Sequence, residues 1–168
     1  MLIRKIKTNK GFSILEILIL ISVILVSLTG LISLSIGSIK SQTNSRNALV
    51  AVELAQEGIE IVRNIRDTNW LNLSSSDWNS NLGNGNYIVN YGSTALSSVS
   101  GINDNAAKLY IDSNNMYTHT GGTSTAFSRI ITINSTDDAS STISSFVKFG
   151  SGPRSQIYEV DAILYNWH

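Results

Sequence analysis

Side chains that could do chemistry are few and scattered. The two histidines are His119, in a turn-like stretch, and His168, the final residue. Neither belongs to a recognisable acid–base or nucleophile pattern, so no catalytic residue is expected. Asn103-Asp104-Asn105, Asp112-Ser113-Asn114 and Asp137-Asp138 carry oxygen ligands suited to a hard cation. None follows calcium-loop spacing. They read as turn residues, whose short side chains bond the nearby backbone. The chain has no cysteine, which excludes disulfides and thiolate metal sites. No metal and no cofactor is therefore expected. Asn72-Leu73-Ser74 and Asn134-Ser135-Thr136 match the glycosylation tripeptide, a pattern that recurs by chance in an Asn- and Ser-rich chain.

Glu16 is different because of what surrounds it. From Phe12 to Ile39, a stretch of 28 residues, it is the one ionisable side chain. As a helix this stretch would be about 42 Å long, and a hydrocarbon core of about 30 Å needs about 20 apolar residues. Ile17 to Ile36 supplies them, with Ser22, Ser27, Thr29, Ser33 and Ser35 interspersed. Those hydroxyls can bond the preceding helical turn and so are tolerable in lipid. Arg4, Lys5, Lys7 and Lys10 precede the span and predict a cytoplasmic N-terminus. A secretory signal peptide would be shorter and end in small residues; here no Ala-x-Ala pattern follows. A plain single-pass anchor fits the composition, but a lone carboxylate near one end of a clean apolar segment is costly in lipid.

The basic leader, then Lys10-Gly11-Phe12-Ser13-Ile14-Leu15-Glu16, then an immediate apolar span, together resemble the N-terminal signal of type IV prepilins and the related pseudopilins. The resemblance covers about the first quarter of the chain. It implies that a prepilin peptidase cuts between Gly11 and Phe12 and that the new amino terminus of Phe12 is N-methylated. It further implies that the apolar helix leaves the bilayer to form a filament core, with Glu16 serving assembly. The implied partners are that peptidase, other pilin subunits, an inner-membrane assembly platform and, before assembly, membrane lipid. One departure concerns the proline that many members carry within the span: this chain has only Pro153, and Thr29, Gly30 and Ser33 occupy the comparable region. Glycine weakens a helix by about 1 kcal/mol against alanine, proline by about 3.

The remaining sequence supplies the elements that position this segment. Ala48, Val52, Ala55, Ile59 and Val62, with the adjacent row Ala51, Leu54, Gly58, Ile61 and Ile65, mark an amphipathic helix over 40–70. No proline or glycine cluster separates it from the span. Arg66 falls within its apolar arc and is expected to pack its stem and send its head to water. Leu54 to Glu60, and on to Asn69-Trp70, is also similar to helices of minor pilins and pseudopilins. Leu71 to Asn86, rich in Ser, Asn and Gly, reads as a surface loop. Strand candidates are Tyr87–Tyr91, Ala107–Asp112, Met116–His119, Phe127–Asn134, Ile143–Phe149 and Ile157–Trp167. The expected fold is α+β, a long N-terminal helix packed on an antiparallel sheet. Its expected parts are a leader over 1–11, an apolar helix over 12–39, an amphipathic helix over 40–70 and a β-rich head over 71–168.

Charge bears on partners. The chain has 12 basic and 12 acidic side chains. Without the four basic leader residues, 8 basic groups face 12 acidic ones, a formal charge of −4. Phosphate binding needs clustered Lys and Arg, so nucleic acid is not indicated. The expectation is a structural subunit of a type IV pilus-like filament, not an enzyme, with a secretion or DNA-uptake pseudopilin and an unprocessed membrane-anchored binding module as alternatives.

Overall fold

The structure, a computed structural model, describes residues 11, 13–71, 77–135, 139–150 and 152–166. One helix, α1 (Ile14–Leu71), runs for 58 residues without a break, about 87 Å at 1.5 Å per residue. The apolar and amphipathic stretches are thus one element, as the absence of proline suggested. Hydroxyls in its first half bond back along the helix. Ser22 Oγ donates to the Ile19 carbonyl at 2.7 Å, Ser27 to Val23 at 2.8 Å, Thr29 to Val26 at 2.8 Å and Ser33 to Thr29 at 3.0 Å. Helix persists across Thr29, Gly30 and Ser33.

The chain divides into two compact units, one ending at Asn44 and the other beginning at Ser45. In the second unit a seven-stranded antiparallel sheet packs against the amphipathic part of α1. Its strands are β1 (Gly85–Ile88), β2 (Ser97–Ser98), β3 (Lys108–Ile111), β4 (Tyr117–Thr118), β5 (Thr123–Ser135), β6 (Ser140–Phe149) and β7 (Gln156–Tyr165). The long β5 organises the rest. Along one side it pairs with β6, from Phe127 opposite Phe149 to Ser135 opposite Ser141. Its other side is shared: β1 takes Ile131 to Ile133, and β3 takes Thr123 to Ser128. β2 flanks β1, β4 flanks β3, and β7 lies beyond β6. Gly122 turns the chain into β5 at φ +100°, and a Cβ there would stand 2.2 Å from the Ile111 carbonyl oxygen, so only glycine fits.

Alternation decides the core. Phe127, Arg129, Ile131 and Ile133 of β5 are buried, as are Ser141, Ile143, Ser145 and Val147 of β6. They face Ala51, Leu54, Ala55, Ile59, Val62 and Ile65 of α1. Gly58 permits this approach: a Cβ there would be 2.8 Å from Ser145 Oγ and 3.4 Å from Arg129 Cδ.

Three expectations need correction. The segment read as a surface loop is anchored, because Trp78 and Leu82 are buried in the core and Asn69 Nδ2 at the helix end donates to the carbonyls of Trp78 and Ser80. The Arg66 head does not reach water. It is buried, pairs with Asp67 at 2.7 Å and lies 4.6 Å over the Trp70 ring. Finally, β1 begins at Gly85 and ends at Ile88, while β2 had no counterpart among the expected strands.

Candidate functional site

The start of α1 holds the residues singled out by sequence. Gly11 is exposed and Phe12 lies outside the described residues. A Cβ on Gly11 would meet nothing within 4 Å, so neither packing nor backbone geometry demands glycine there. Ser13 precedes the first helical residue, and its carbonyl accepts the Ile17 N–H at 3.2 Å. Glu16 lies in the first turn, three residues after Ser13. That is the spacing of a capping box, and a carboxylate there also complements the positive end of the helix dipole.

Beyond Glu16 the helix surface is bare. Seventeen Ile, Leu and Val residues between Ile14 and Ile39 are 46–78% exposed. Burying a large aliphatic side chain contributes roughly 1.5–3 kcal/mol. Even at half that value, covering seventeen contributes on the order of 20 kcal/mol. No described residue covers them, and α1 is long and apolar enough to cross a membrane.

The other candidates are turn and core residues where they are described. Asp104 caps a short 3-10 turn over Asn105–Ala107 and accepts from the Ala106 N–H and the Ser100 hydroxyl. The Ser100 hydroxyl foremost, then the Ala106 N–H, hold its carboxyl below the usual range. Asp112 Oδ1 accepts from the N–H groups of Asn114 and Met116. Both therefore spend their oxygens on nearby backbone and side-chain donors of their own turns. Among the described residues no three of His, Cys, Asp or Glu converge on a metal-sized site. His168, Asp137-Asp138, Asn72-Leu73-Ser74 and Thr136 lie outside the described residues.

Sequence reasoning missed a polar seam through the core. Arg129, wholly buried, stands between the two apolar clusters. Its Nη1 donates to the Leu54 carbonyl of α1 at 3.0 Å, and its Nη2 to the Val89 carbonyl after β1 at 2.9 Å. Nη1 also lies 3.4 Å from Glu57 Oε2. One side chain thus ties helix, sheet and loop together. Burial lowers the guanidinium pKa, and the Glu57 carboxylate opposes that shift. The signal available in sequence was an arginine in an inward-facing row, but its partners lie 75 and 40 positions away.

His119 lies close enough to feel that charge. Its backbone N–H donates to Asn90 Oδ1 at 2.7 Å, and its Nδ1 is 3.1 Å from the Ala106 carbonyl. A carbonyl only accepts, so Nδ1 carries the proton of a neutral ring. Burial first, and the charge of Arg129 second, push its pKa down to about 4. An unfolded histidine titrates near 6.5. Between those values the unfolded chain takes up a proton that the folded chain refuses. Stability from this group is therefore complete above about pH 6.5 and lost as pH falls toward 4, by up to about 3 kcal/mol. Denaturation curves between pH 6.5 and 5 should show this slope, and His119→Asn, which keeps a donor for Ala106, should flatten it. An unchanged slope in the variant would assign the effect elsewhere.

The structure therefore places Gly11 and Glu16 at the exposed start of an apolar helix that no described residue covers, and buries Arg129 and His119 in the head. Comparison with protein-family models, curated proteins and solved structures gives no match.

Proposed function

We propose that this chain is a structural subunit, major or minor, of a type IV pilus-like filament. The observation that carries this reading is the helix surface from Ile14 to Ile39, seventeen large aliphatic residues without cover and one carboxylate at its start. Lipid covers such a surface before assembly and neighbouring copies of the same helix cover it afterwards. Gly30 and Gly37 suit the second environment: a Cβ on either would meet no described atom within 4 Å, and small residues let neighbouring helices approach closely. The leader is removed after Gly11 by a prepilin peptidase, the Phe12 amine is methylated, and the subunit passes through an inner-membrane platform to a surface filament. Before assembly it is a single-pass membrane protein with a cytoplasmic N-terminus. It works by packing rather than by catalysis.

Shearing filaments from cells and quantifying their proteins tests this reading. The mature chain should sediment with the sheared filaments, in high copy for a major subunit and low copy for a minor one. A full-length chain found only in the membrane fraction would instead favour an anchored binding module.

A further inference from the structure

Among the described residues β7 ends the sheet and its outer edge is open. From Gln156 to Tyr165 it pairs with β6 without a slip, and it has no second neighbour among them. Backbone groups of an antiparallel strand point alternately to its two sides, so one known bond sets the phase. The Asn166 N–H bonds the Ala139 carbonyl, one step beyond the Tyr165–Ser140 pair. Gln156, Tyr158, Val160, Ala162 and Leu164 therefore direct their N–H and C=O toward β6. The Gly150 N–H bond to the Ala126 carbonyl gives the same phase independently from the β5 side. Ile157, Glu159, Asp161, Ile163 and Tyr165 direct theirs away from the sheet, and all five are exposed.

α1 does not close against this edge. A cavity of about 310 Å³ separates Ile59, Glu60 and Arg63 from Val160, Asp161 and Ala162. A second, of about 530 Å³, lies between Arg63 and Arg66 and the stretch Ile163–Tyr165. A strand laid on β7 would send alternate side chains over these cavities and the others onto the outer face. There it would meet Glu159 and Asp161, which make no ion pair among the described residues, flanked by Ile157, Ile163 and Tyr165.

We propose that the free edge of β7 takes up an extended segment of a partner protein by strand addition, one in which Lys or Arg alternates with apolar residues. The basic side chains lie opposite Glu159 and Asp161, and the apolar ones cover Ile59, Val160, Ala162 and Leu164. A second copy of β7 is the wrong occupant: central antiparallel registers set Asp161 against Asp161, or Glu159 against Asp161, and like charges directly opposite are destabilising. The competing explanation is that the two carboxylates only guard the edge against pairing.

The test uses the full chain in detergent micelles and a capped, fluorescent decapeptide alternating valine and lysine, long enough to span Gln156–Tyr165. Anisotropy should show binding that weakens at least about tenfold when every lysine is replaced by glutamate. N-methylating the peptide amides that face β7 should abolish it. Hydrogen exchange should slow at the amides of Ile157, Glu159, Asp161, Ile163 and Tyr165 and not at the intervening ones. In the double variant Glu159→Lys/Asp161→Lys the glutamate peptide should become the better ligand. Both side chains are exposed, so folding is spared. Undiminished binding of the N-methylated peptide would reduce the effect to charge attraction and overturn the proposal. So would the absence of binding, which leaves the carboxylates as guards. Protection of the five amides before peptide is added would assign the edge to a second copy and equally overturn it.

Discussion

Replacing Glu16 with alanine is expected to leave cleavage after Gly11 largely intact and to cut incorporation into filaments by about a hundredfold or more. Glu16 lies in the first turn of α1; in the proposed membrane-inserted state this end of the span sits near the interface, where a carboxylate costs less than the roughly 2.5–3.5 kcal/mol of a charge at mid-bilayer. The proposed cleavage would free an α-amino group on Phe12; such groups titrate near 7.7–8.0, so it would be mostly cationic at neutral pH. In the proposed filament the carboxylate of one subunit would pair with that amine on a neighbour. Removing one partner of a desolvated pair costs about 3–5 kcal/mol, and each 1.4 kcal/mol is tenfold in an equilibrium. Such a pair would form only at the correct axial stagger and so would select register. Helix capping is a separate contribution, since Ser13 and Glu16 have capping-box spacing. Glu16→Gln separates the two, because glutamine keeps the cap and loses the charge. Both variants should be processed yet excluded from filaments in cells without the wild-type copy. Normal incorporation of the glutamine variant would reduce Glu16 to a cap.

The second large effect lies in the head. Arg129 is wholly buried, whereas the Glu57 side chain is 31% exposed. The two partners are therefore unequal. Arg129→Met removes the guanidinium, and Glu57 can then turn toward water, but the Leu54 and Val89 carbonyls lose their donor. The expected cost is about 3 kcal/mol. Glu57→Leu leaves the guanidinium buried without a counter-charge and should cost more, up to about 5 kcal/mol. The double variant should recover part of the loss, since replacing a whole buried pair by apolar groups is often close to neutral. A fragment beginning at Lys40 suits the measurement. It retains the second compact unit whole, and it should be soluble and unfold cooperatively. Additive losses in the double variant would mean that Glu57 and Arg129 do not act as a pair.

Much of this architecture was legible in the residues. The apolar run to Ile39 and the rows Ala51-Leu54-Gly58-Ile65 and Ala55-Ile59-Val62 report directly on one helix, because burial follows its period. β7 was equally plain: Tyr158, Val160, Ala162 and Leu164 alternate with exposed neighbours. What escaped depends on partners distant in sequence. Ser97 and Ser98 form β2 only because Tyr87 and Ile88 lie beside them, and two serines carry no strand pattern. Trp78 and Leu82 are core residues set among Ser, Asn and Gly, so local composition masked them. Arg66 looked like a snorkelling side chain until Trp70 and Asp67 closed around it. Arg129 could be assigned to the inward face, but its role required the carbonyls of Leu54 and Val89. The open edge of β7 required the pairing order of the whole sheet. The start of α1 shows the reverse relation. No described atom around Gly11 demands a glycine, so its proposed role rests on the pattern it forms with Phe12 and Glu16.

The most direct test of the filament-subunit reading is the intact mass and N-terminal residue of the mature protein isolated from cells. The account predicts a chain that begins at Phe12 with a methylated amine, and a Gly11→Trp variant that remains full length. A mature protein that retains residues 1–11, or a Gly11→Trp variant that is still trimmed to the mature size, would contradict it.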